Sequence, residues 1–599
     1  MKHATLNIEN ESFEVAGLTG REGLSELFHF EVVCLSEDVV DARRWLGRQA
    51  VIRLMSHGAE RSVSGVVTRA VRRVSDEGTA MLVFVVRPAA YQLTLGRDCR
   101  PFHDLNVAGI ADEVLAQVPH RWELTRDYMV RPYTVQYRED DWTFLSRLLE
   151  SEGIYYWFDH EDGSTLVFAD ASPRAPELAG GAPITFAYES AMLEGDEAVL
   201  ELGSEVCATA TKFTVGSFDP ARPRLRLSAS TGEGNLEMYD APGGGPRSPA
   251  ACERRADDLR DAALAARDGV AGTSTSARLT PGRVVEITGH PVTRYDRRFL
   301  VTETRYEVSQ RRQESRERTY LCSFRAIPVE ASYRPPARTP RARQAGLQSG
   351  IVVGPPSAEI HPDDQGRVRV QLHWDRKGAR NDASGRWMRV AQRGTADSML
   401  LPRIGWNVLT FNEEGAVDDP ALLSRIHDTE HPPAYTLPGA KTRTVFKTAT
   451  SPADGSFNEV HFEDQKGSEE MFINAARDMN VLVQNEKTDE IKRDVTREVA
   501  QNHDLAVGTD YVEVIYGNQT VVIDGNETTR VLGERQKTVA GNESETIGAS
   551  RDLHVAQSHT NQVTGTRKLN VGVAMIEATL GPIVSSSGSF MTVLVGGAA

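Results

Sequence analysis

The chain lacks long apolar runs, and it also lacks an apolar core near its N-terminus. A helix that crosses a membrane needs about 20 consecutive, predominantly apolar residues, and no such run is present. A secretory signal peptide needs a shorter apolar stretch behind a charged start, whereas residues 1–10 are polar. We therefore expect no stable membrane anchor. If the protein leaves its cell, we expect a route other than signal-peptide export.

Cysteine is also scarce, and acidic residues outnumber basic ones. The cysteines in this 599-residue chain are widely spaced and include no Cys-x-x-Cys pair, which is typical of reduced thiols in a cytosolic protein. We interpret all of them as small hydrophobic residues of the interior: Cys34, Cys99, Cys207, Cys252 and Cys322. The formal net charge of −16 excludes a general nucleic-acid binder, because such a protein needs a basic surface.

Two groups of residues have the composition of catalytic or metal sites. The acidic run at 139–141 precedes a helical pattern, so we interpret it as a helix start at which Asp140 or Asp141 accepts the first free backbone N–H groups. His361, His373 and Asp375 show no diagnostic ligand spacing, and we assign them to strand surfaces. The sequence thus predicts no catalytic residue, no metal ligand, no cofactor-binding residue and no cofactor.

The first 331 residues alternate strand-like runs with turns and contain a few helical patterns. β-Branched and aromatic residues predict strands at 62–67, 80–86, 154–158, 298–304 and 320–324. Apolar spacing predicts helices after Asn106, from Asp141 to a left-handed stop at Gly153, and at 261–267. We expect residues 1–331 to form two interleaved, barrel-like β domains with inserted helices.

The second half is predicted to contain five further segments. A proline- and arginine-rich linker is expected at 332–350, followed at 351–427 by a compact unit of short alternating strands, which suits a small Greek-key barrel of the OB type. A polar connector follows at 428–456. A repeating segment is expected at 457–580, and residues 581–599 form a tip or tail rich in small residues.

The most regular feature is an apolar residue, any residue and a glycine that recur with a step of eight. The regular copies consist of Ile523 with Gly525, Val531 with Gly533, and Val539 with Gly541. Looser copies flank them at Gly517-Asn518, Ile547-Gly548, Val563-Thr564-Gly565 and Val571-Gly572. We interpret the change from regular to loose copies as a slip of register before Gly525 and after Gly541.

An eight-residue step fits one strand and one turn, with the apolar residue facing inward and glycine supplying a positive φ at the corner. A single chain wound in this way would have almost no interior. Three chains that wind together would bury the apolar residues and pair every strand, giving a triangular needle roughly 50 Å long at about 4.8 Å per strand. A single-stranded β-solenoid is the alternative. His554 and His559 are candidates for inward polar positions that hold an ion on the axis, although ordinary exposure explains them more simply.

Motifs along nearly the whole chain resemble those of VgrG, the valine–glycine repeat family that forms the trimeric spike of the bacterial type VI secretion system. Their order is specific, although no single motif is. The motifs are RPFHD at 100–104, YTVQYREDD at 133–141, FLSRLLESEGI at 144–154, EIHPD at 359–363, GRVRVQLHWD at 366–375, PRIG at 402–405, FNEVHFED at 457–464, GSEE at 467–470 and ARDM at 476–479.

The resemblance implies a mainly β protein with a tail-hub region like that of contractile phages, an OB domain and an intertwined trimeric β-helix. It implies a homotrimer that docks on a tube of Hcp rings and contacts baseplate components. It also implies a tip capped by a PAAR-repeat protein and a cargo of effector toxins. Such a spike is assembled in the bacterial cytoplasm and is driven by sheath contraction into a target cell or the medium, with transient penetration of membranes.

Two alternatives accompany this interpretation. The first is a hub and spike protein of a contractile phage or of a phage-derived particle. The second is a spike with cell-wall hydrolase activity. Between Arg425 and Asp478 there is too little chain for an independent lysozyme domain, and no toxin domain is expected beyond the needle. The sequence therefore favours a protein that is not an enzyme.

Overall fold

The computed structural model describes residues 3–36, 41–74, 80–188, 197–241, 245–310, 319–394, 398–584 and 586. The chain divides into two units, Met1–Leu482 and Val483–Ala599, and each is described by itself. Strands dominate the first unit. Within the described ranges, no helix is long and apolar enough to span a bilayer. Short 3-10 turns lie at Ala42–Trp45, Ala89–Thr94, His160–Asp162, Ser172–Arg174, Thr293–Tyr295 and Glu413–Gly415.

The N-terminal strands form one half of a large antiparallel sheet. They are β1 (Ala4–Ile8), β2 (Glu11–Phe13), β3 (Val15–Gly23), β4 (His29–Ser36), β5 (Gln49–Ser56), β6 (Ala59–Val74) and β7 (Ala80–Arg87). Their order is β3-β4-β7-β6-β5-β1-β2, and their alternating apolar residues bury one face. The long strand β6 shifts register between Val67 and Arg69, where a bulge bends the sheet.

Two helices and two small sheets follow. The strands are β8 (Asp98–Leu105), β9 (His120–Glu123), β10 (Arg131–Glu139), β11 (Tyr155–Asp159) and β12 (Thr165–Ala169), and the helices are α1 (Val107–Val114) and α2 (Asp141–Glu152). Helix α2 begins and ends as predicted from local sequence, and α1 buries Ile110 and Val114 of the predicted apolar face. Asn106 accepts from the N–H of Gly109, Asp140 accepts from the N–H of Thr143, and Gly153 ends α2 with φ 70°.

The next strands complete the large sheet. They are β13 (Pro183–Phe186), β14 (Ala198–Val206), β15 (Lys212–Ser217), β16 (Leu227–Gly232), β17 (Glu237–Asp240), β18 (Asp268–Ser274), β19 (Val284–Thr288), β20 (Arg298–Ser309) and β21 (Thr319–Pro328). The order β19-β13-β14-β18-β21-β20 closes on itself because β19 also pairs with β20, which makes a barrel. Strands β15, β16 and β17 form a separate sheet against helix α3 (Pro249–Arg267).

Helix α3 is much longer than the helix predicted at 261–267. Ser248 caps it by accepting from the N–H of Ala251, and Pro249 occupies its first turn. Its buried side includes Arg255 and Asp258, so the helix has no continuous apolar stripe. The hydrophobic periodicity that revealed α2 is therefore missing from most of α3.

The two halves of the large sheet are joined by pairing between β3 and β20, in which Gly23 lies opposite Glu303 and Gly17 opposite Ser309. This strand pairing joins the N-terminal strands and the later strands into one continuous sheet. Gln310, directly after β20, then bridges the first half internally. Its side-chain amide donates to the carbonyl oxygens of Ala4 and Val15, both at 2.9 Å.

The next sheet is small and closes through its edges. Its strands are β22 (Leu347–Val353), β23 (Val368–Leu372), β24 (Arg386–Met388), β25 (Asn407–Asn412) and β26 (Pro420–Arg425), in the order β24-β23-β22-β25-β26. Val390 and Leu422 form a parallel bridge that connects the two edges. Because the strands close in this way, we assign the sheet to a small Greek-key barrel.

The prediction of a linker at 332–350 is wrong in two respects. Strand β22 already begins at Leu347. The Arg334 guanidinium is buried, with Nε 3.0 Å from the Asp258 carboxylate and Nη1 3.0 Å from the carbonyl oxygen of Gly153. Prolines and arginines are typical of flexible connections, but here the charged groups fix the segment to the preceding domain.

A three-stranded antiparallel sheet, in the order β27-β28-β29, ends the strand-rich region. Its strands are β27 (Arg443–Ala449), β28 (Phe457–Glu463) and β29 (Glu470–Asn474). This sheet spans part of the predicted connector at 428–456 and the start of the predicted needle at 457–580. The repeating conformation therefore begins after Asn474.

Candidate functional site

The second unit consists of a conformation that repeats every eight residues. The chain bends at 484–485 and again at each eighth residue as far as 580–581. Between 483 and 584 it forms no strand and no backbone–backbone hydrogen bond with itself. Because backbone N–H and C=O groups need partners, a segment of this kind is incomplete as a single chain.

A β-branched residue immediately precedes each bend, from the first described bend of the unit to Val571. The series is Val483, Ile491, Val499, Val507, Ile515, Ile523, Val531, Val539, Ile547, Val555, Val563 and Val571, and we refer to it as the octad stripe. The predicted slips of register before Gly525 and after Gly541 are therefore wrong. The glycine moves by one position, to Gly508, Gly548 and Gly572, whereas the β-branched residue does not move. A search for valine or isoleucine at this period would have found the whole stripe.

The expected positive φ at the corner glycines is also wrong. None of the glycines from Gly508 to Gly581 lies in the left-handed region. A Cβ atom built on Gly533 meets no atom of its own chain within 4 Å. The same position of the bend is occupied by Arg493, Thr509 and Val573 in other repeats. The bend is thus made in a conformation that ordinary residues adopt, and the predicted strain does not apply.

The octad stripe is evenly exposed in the single chain, from 42% at Val555 to 55% at Ile491. Exposed apolar residues are common on protein surfaces, but a continuous row of them is a mark of an interaction site. Ion pairs span two of the bends: Lys537 with Glu543, and Arg551 with Glu545 at 2.7 Å. The apolar row and the unpaired backbone run through the same residues.

The two histidines proposed as inward polar positions lie in different places. His554 is adjacent to Val555, so alternation along an extended chain places it opposite the stripe. His559 lies four residues before Val563 without an intervening bend, which places it on the side of the stripe. Both are exposed in the single chain. Over the described ranges, no group of three His, Cys, Asp or Glu side chains is arranged to hold a metal ion.

The acidic residues at 139–141 have structural partners. Asp140 caps α2, and Glu139 forms a buried, two-pronged contact with Arg147, whose Nε lies 3.0 Å from each carboxylate oxygen. Asp141 accepts from Arg100 at 2.9 Å. These contacts account for all the carboxylates of the run, in agreement with its interpretation as a helix start.

The residues considered as metal ligands in the five-stranded barrel are not brought together. His361 lies 3.2 Å from the Asp382 carboxylate, and His373 lies 3.3 Å from Asn407. Asp375 accepts from two backbone N–H groups of the turn that follows it, those of Lys377 and Gly378.

The cysteines are free thiols, as expected from their spacing, but they are not all interior. Cys34, Cys252 and Cys322 are buried, and burial raises the pKa of the Cys34 thiol to about 12. Cys99 is half-buried and Cys207 is exposed, so the prediction of buried residues is wrong for Cys207. That residue follows directly after β14, where the chain leaves the sheet.

Two family models match the chain in the order of its structural parts. Residues 21–312 match the phage tail baseplate hub (GPD) family, and this range includes strands from both halves of the large sheet. Residues 444–555 match the C-terminal trimerisation domain of bacteriophage T4 gp5, which covers the three-stranded sheet and most of the octad stripe.

Curated relatives are similar over most of the chain. The type VI secretion system spike protein VgrG4b of Pseudomonas aeruginosa is 30% identical over 81% of this chain and 63% of its own length. VgrG5 of the same organism is 31% identical over 85% of this chain and 67% of its own length. The chain thus spans about two thirds of the length of these relatives. The actin cross-linking toxin VgrG1 of Vibrio cholerae is 30% identical over 86% of this chain but only 49% of its own length.

Solved structures show the same fold. An Escherichia coli component of the type VI secretion system, described as similar to the T4 tail proteins gp27 and gp5, aligns with a TM-score of 0.53 at 22% identity, over 70% of this chain and 99% of that one. A chain of the lidded Francisella PdpA–VgrG complex aligns with a TM-score of 0.52 at 6% identity, over 79% of this chain and 80% of that one. On the strength of the curated relatives, this chain belongs to the VgrG family of type VI secretion system spike proteins.

Proposed function

We propose that three copies of this chain assemble through the octad stripe into the puncturing spike of a type VI secretion system. The observation that carries the proposal is the coincidence, in residues 483–584, of an exposed apolar row with a backbone that forms no hydrogen bonds within its own chain. Three chains satisfy both requirements at once, because their strands pair with one another and their stripes meet inside. The match to a trimerisation family supports that number.

Each region of the chain has a separate role in this assembly. Residues 1–331 form the hub, the closed five-stranded barrel is an OB domain at its far end, and the octads wind into a triple-stranded β-helix. Each hub contributes two sheet halves, β3-β4-β7-β6-β5-β1-β2 and β19-β13-β14-β18-β21-β20, of which the second closes into a barrel. Three chains would present six such halves. That number suits docking on the sixfold Hcp tube, which we propose as the partner at the base.

Further partners follow from the role of a spike. We propose baseplate components around the hub, a PAAR-repeat protein at the tip and effector toxins as cargo. The complex of PdpA with VgrG supports effector-like partners for proteins of this fold. Spike assembly in the cytoplasm and translocation to the medium or a target cell follow from the same role. The tip segment at 581–599 lies almost wholly outside the described residues.

We propose a mechanical role and no catalytic one. Over 86% of its length this chain resembles the Vibrio cholerae toxin, yet it spans only about half of that protein. Toxin activity is therefore not transferred to this chain. A phage tail hub is not favoured, because the curated relatives are secretion spikes.

The proposal is tested by the solution mass of the full chain. Light scattering or native mass spectrometry should give three times the 65.9 kDa of one chain. Val539→Asp places a charge in the octad stripe and should abolish or strongly weaken the trimer, because three carboxylates would be buried together. A monomeric wild-type chain would overturn the proposal.

Thr538→Asp is the matched control. It adds the same charge one residue away, on the opposite side of an extended chain. It should leave the trimer intact. In a strain whose secretion depends on this spike, only Val539→Asp should prevent the appearance of the spike in the medium and the killing of neighbouring cells.

A further inference from the structure

A cleft of about 820 Å³ lies where β10, the start of α2, residues 340–349 and the two residues after β23 come together. We call it the basic cleft. Its volume falls within the range of about 300–1,000 Å³ that is typical of ligand sites. The two matched family ranges, 21–312 and 444–555, do not include residues 340–349 or the residues after β23. Most of the lining therefore lies outside both families.

Contacts beneath the basic cleft hold its walls in place. Tyr137 of β10, Ala342 and Trp374 pack against one small apolar core. The backbone N–H of Val135 donates to the Asp418 carboxylate at 2.7 Å, which joins β10 to the five-stranded barrel. The cleft is thus built within a single folded chain, and a ligand for it does not depend on the proposed trimer.

The charged side chains around the cleft are mainly basic. Three arginines line it, Arg138, Arg341 and Arg343, and all are exposed. Arg341 lies 3.0 Å from the Asp240 carboxylate, whereas neither Arg138 nor Arg343 forms an ion pair within the described ranges. Glu139, the one acidic residue of the described lining, is buried in its own ion pair. The cleft therefore carries an excess of positive charge in a chain whose net charge is −16.

A buried polar group also lines the cleft without a partner for its oxygen. Gln344 is only 8% exposed, and its backbone N–H donates to the carbonyl oxygen of Gly415 at 3.0 Å. The side-chain Oε1 of Gln344 accepts no hydrogen bond from the part of the chain that the structure describes. Because a buried acceptor without a donor costs free energy, a ligand that brings an N–H group to this position is favoured.

Apolar surface completes the lining. Leu347 is 53% exposed, and the half-buried rings of Tyr137 and Trp374 lie with their centroids 6.2 Å apart. A ligand that fits the cleft thus needs three features: negative charge, an N–H donor and an apolar group.

We propose that the basic cleft binds an acidic segment of a partner protein. Carboxylates of the segment pair with Arg138 and Arg343, since a guanidinium binds a carboxylate through two parallel hydrogen bonds. One N–H of the segment donates to Gln344 Oε1. An apolar side chain of the segment covers Leu347. Recognition of acidic motifs by clustered arginines is a recurring mode of peptide binding.

Two other anions fit the cleft less well. Inorganic phosphate would pair with the arginines, but it has no apolar part to cover Leu347. A nucleic acid would be repelled by a chain with a net charge of −16, because such ligands need an extended basic surface. At physiological salt the distant acidic groups are screened over about 8 Å, so a short acidic peptide responds mainly to the local arginines.

Fluorescence anisotropy of the full chain tests the site, with a fluorescein-labelled peptide of sequence GEELEEG as the probe. The peptide should bind saturably. The peptide GQQLQQG, which has the same length but no carboxylates, should bind about tenfold more weakly or worse. Raising the salt concentration from about 50 to about 300 mM should weaken the binding of the acidic peptide, because exposed charge pairs are screened.

Variants assign the binding to the cleft. Arg138→Asn combined with Arg343→Gln should reduce the affinity about tenfold or more. Asparagine is chosen because position 138 has φ 53°, which asparagine tolerates. Arg224→Gln is the matched control: it removes an exposed arginine outside the cleft and should bind as wild type does. Gln344→Leu removes the acceptor without a change of charge and should weaken binding while the salt dependence is retained.

The outcomes separate this site from the proposed spike. Absence of saturable binding, equal binding of the two peptides, or an equal loss in Arg224→Gln overturns the cleft. Tighter binding of a single-stranded DNA oligonucleotide than of the peptide overturns it too. If the double variant fails to fold, Arg343→Gln alone, at an exposed position, is the reporter. A trimer that does not bind the peptide overturns the cleft and leaves the spike standing, whereas a monomer that binds it supports the cleft and overturns the trimer.

Discussion

The side-chain amide of Gln310 hydrogen-bonds to the backbone of Ala4 in both directions. Its Nε2 donates to the carbonyl oxygen of Ala4 at 2.9 Å, and its Oε1 accepts from the N–H of Ala4 at 3.3 Å. The same Nε2 donates to Val15 at 2.9 Å. This one side chain thus makes hydrogen bonds to both β1 and β3, as a strand between them would. It also links the beginning of the hub to the end of β20.

Gln310→Leu should destabilise the hub by about 1–3 kcal/mol, because it leaves the buried carbonyl oxygens of Ala4 and Val15 without donors. Thermal melting followed by circular dichroism measures the effect. Gln365→Leu, at an exposed turn, makes the same chemical change without loss of a buried hydrogen bond and should melt close to wild type. Equal melting of the two variants would contradict the bridging role.

The hub should lose stability at low pH because of Glu22. Burial raises the pKa of this carboxyl, but Arg61, His160 and the Tyr306 hydroxyl outweigh burial and hold the pKa at about 2, below its ordinary value of 4.5. A carboxyl whose pKa is lower in the folded state stabilises the fold fully above pH 4.5. That stabilisation is lost as the pH falls from 4.5 towards 2.

Melting temperatures measured across this pH range should therefore fall steeply for wild type. Glu22→Gln should melt lower at neutral pH and show a flatter dependence, because the titrating group is absent. Glu60→Gln, which changes an exposed carboxyl adjacent to Arg61 in sequence, should keep the wild-type slope. A Glu22→Gln variant with an unchanged slope would assign the acid sensitivity to other groups.

Gly153→Ala should cost more stability than Gly163→Ala. Both glycines end helical turns in the left-handed region, at φ 70° and 62°, which costs an ordinary residue about 1–2 kcal/mol. A Cβ at Gly163 meets nothing within 4 Å, whereas one at Gly153 lies 2.7 Å from the buried carboxylate of Asp258. We expect a loss of about 3 kcal/mol or more for Gly153→Ala, measured by thermal or urea unfolding. Equal losses would show that Asp258 moves freely.

Val531→Ala should weaken the spike more than Gly533→Ala. Removing methyl groups from the octad stripe costs about 1–2 kcal/mol per chain if the stripe is buried in the trimer. Gly533 needs no left-handed conformation, so alanine is accommodated by its backbone. The melting temperature of the trimer measures both. A greater loss for Gly533→Ala would mean that neighbouring chains approach this glycine closely.

Local features of the hub were readable from the sequence because their causes are local. Helix α2 has its capping carboxylate, its apolar stripe and its terminal glycine within one short segment. Helix α3 was largely missed because its buried side uses two charged residues. Arg255 donates to the carbonyl oxygens of Glu150 and Ser151, and Asp258 pairs with Arg126 and Arg334. No periodic signal in the sequence reports such pairs.

The linker failed as a prediction for the same reason. Composition indicated a flexible connection, but the Arg334 guanidinium donates hydrogen bonds to the carbonyl oxygens of Gly153 and Asp170, which lie far away in sequence. For the octad stripe, by contrast, the sequence contained the full signal, but the prediction underestimated its extent. The period of eight is present in the sequence from Val483 to Val571. The prediction followed glycine instead of valine and isoleucine, and it therefore covered only part of the repeat.

The sequence by itself determined the family, the mainly β class and the period of eight, because ordered motifs and repeat spacing are properties of neighbouring residues. Only the tertiary structure decided how Gln310 links β1 to β3 and how the buried Asp258 of α3 pairs with Arg126 and Arg334. Those features depend on side chains that lie far apart in the sequence. The conformation of a repeat depends on residues that are close together in sequence, whereas the burial of a side chain depends on contacts from the whole chain.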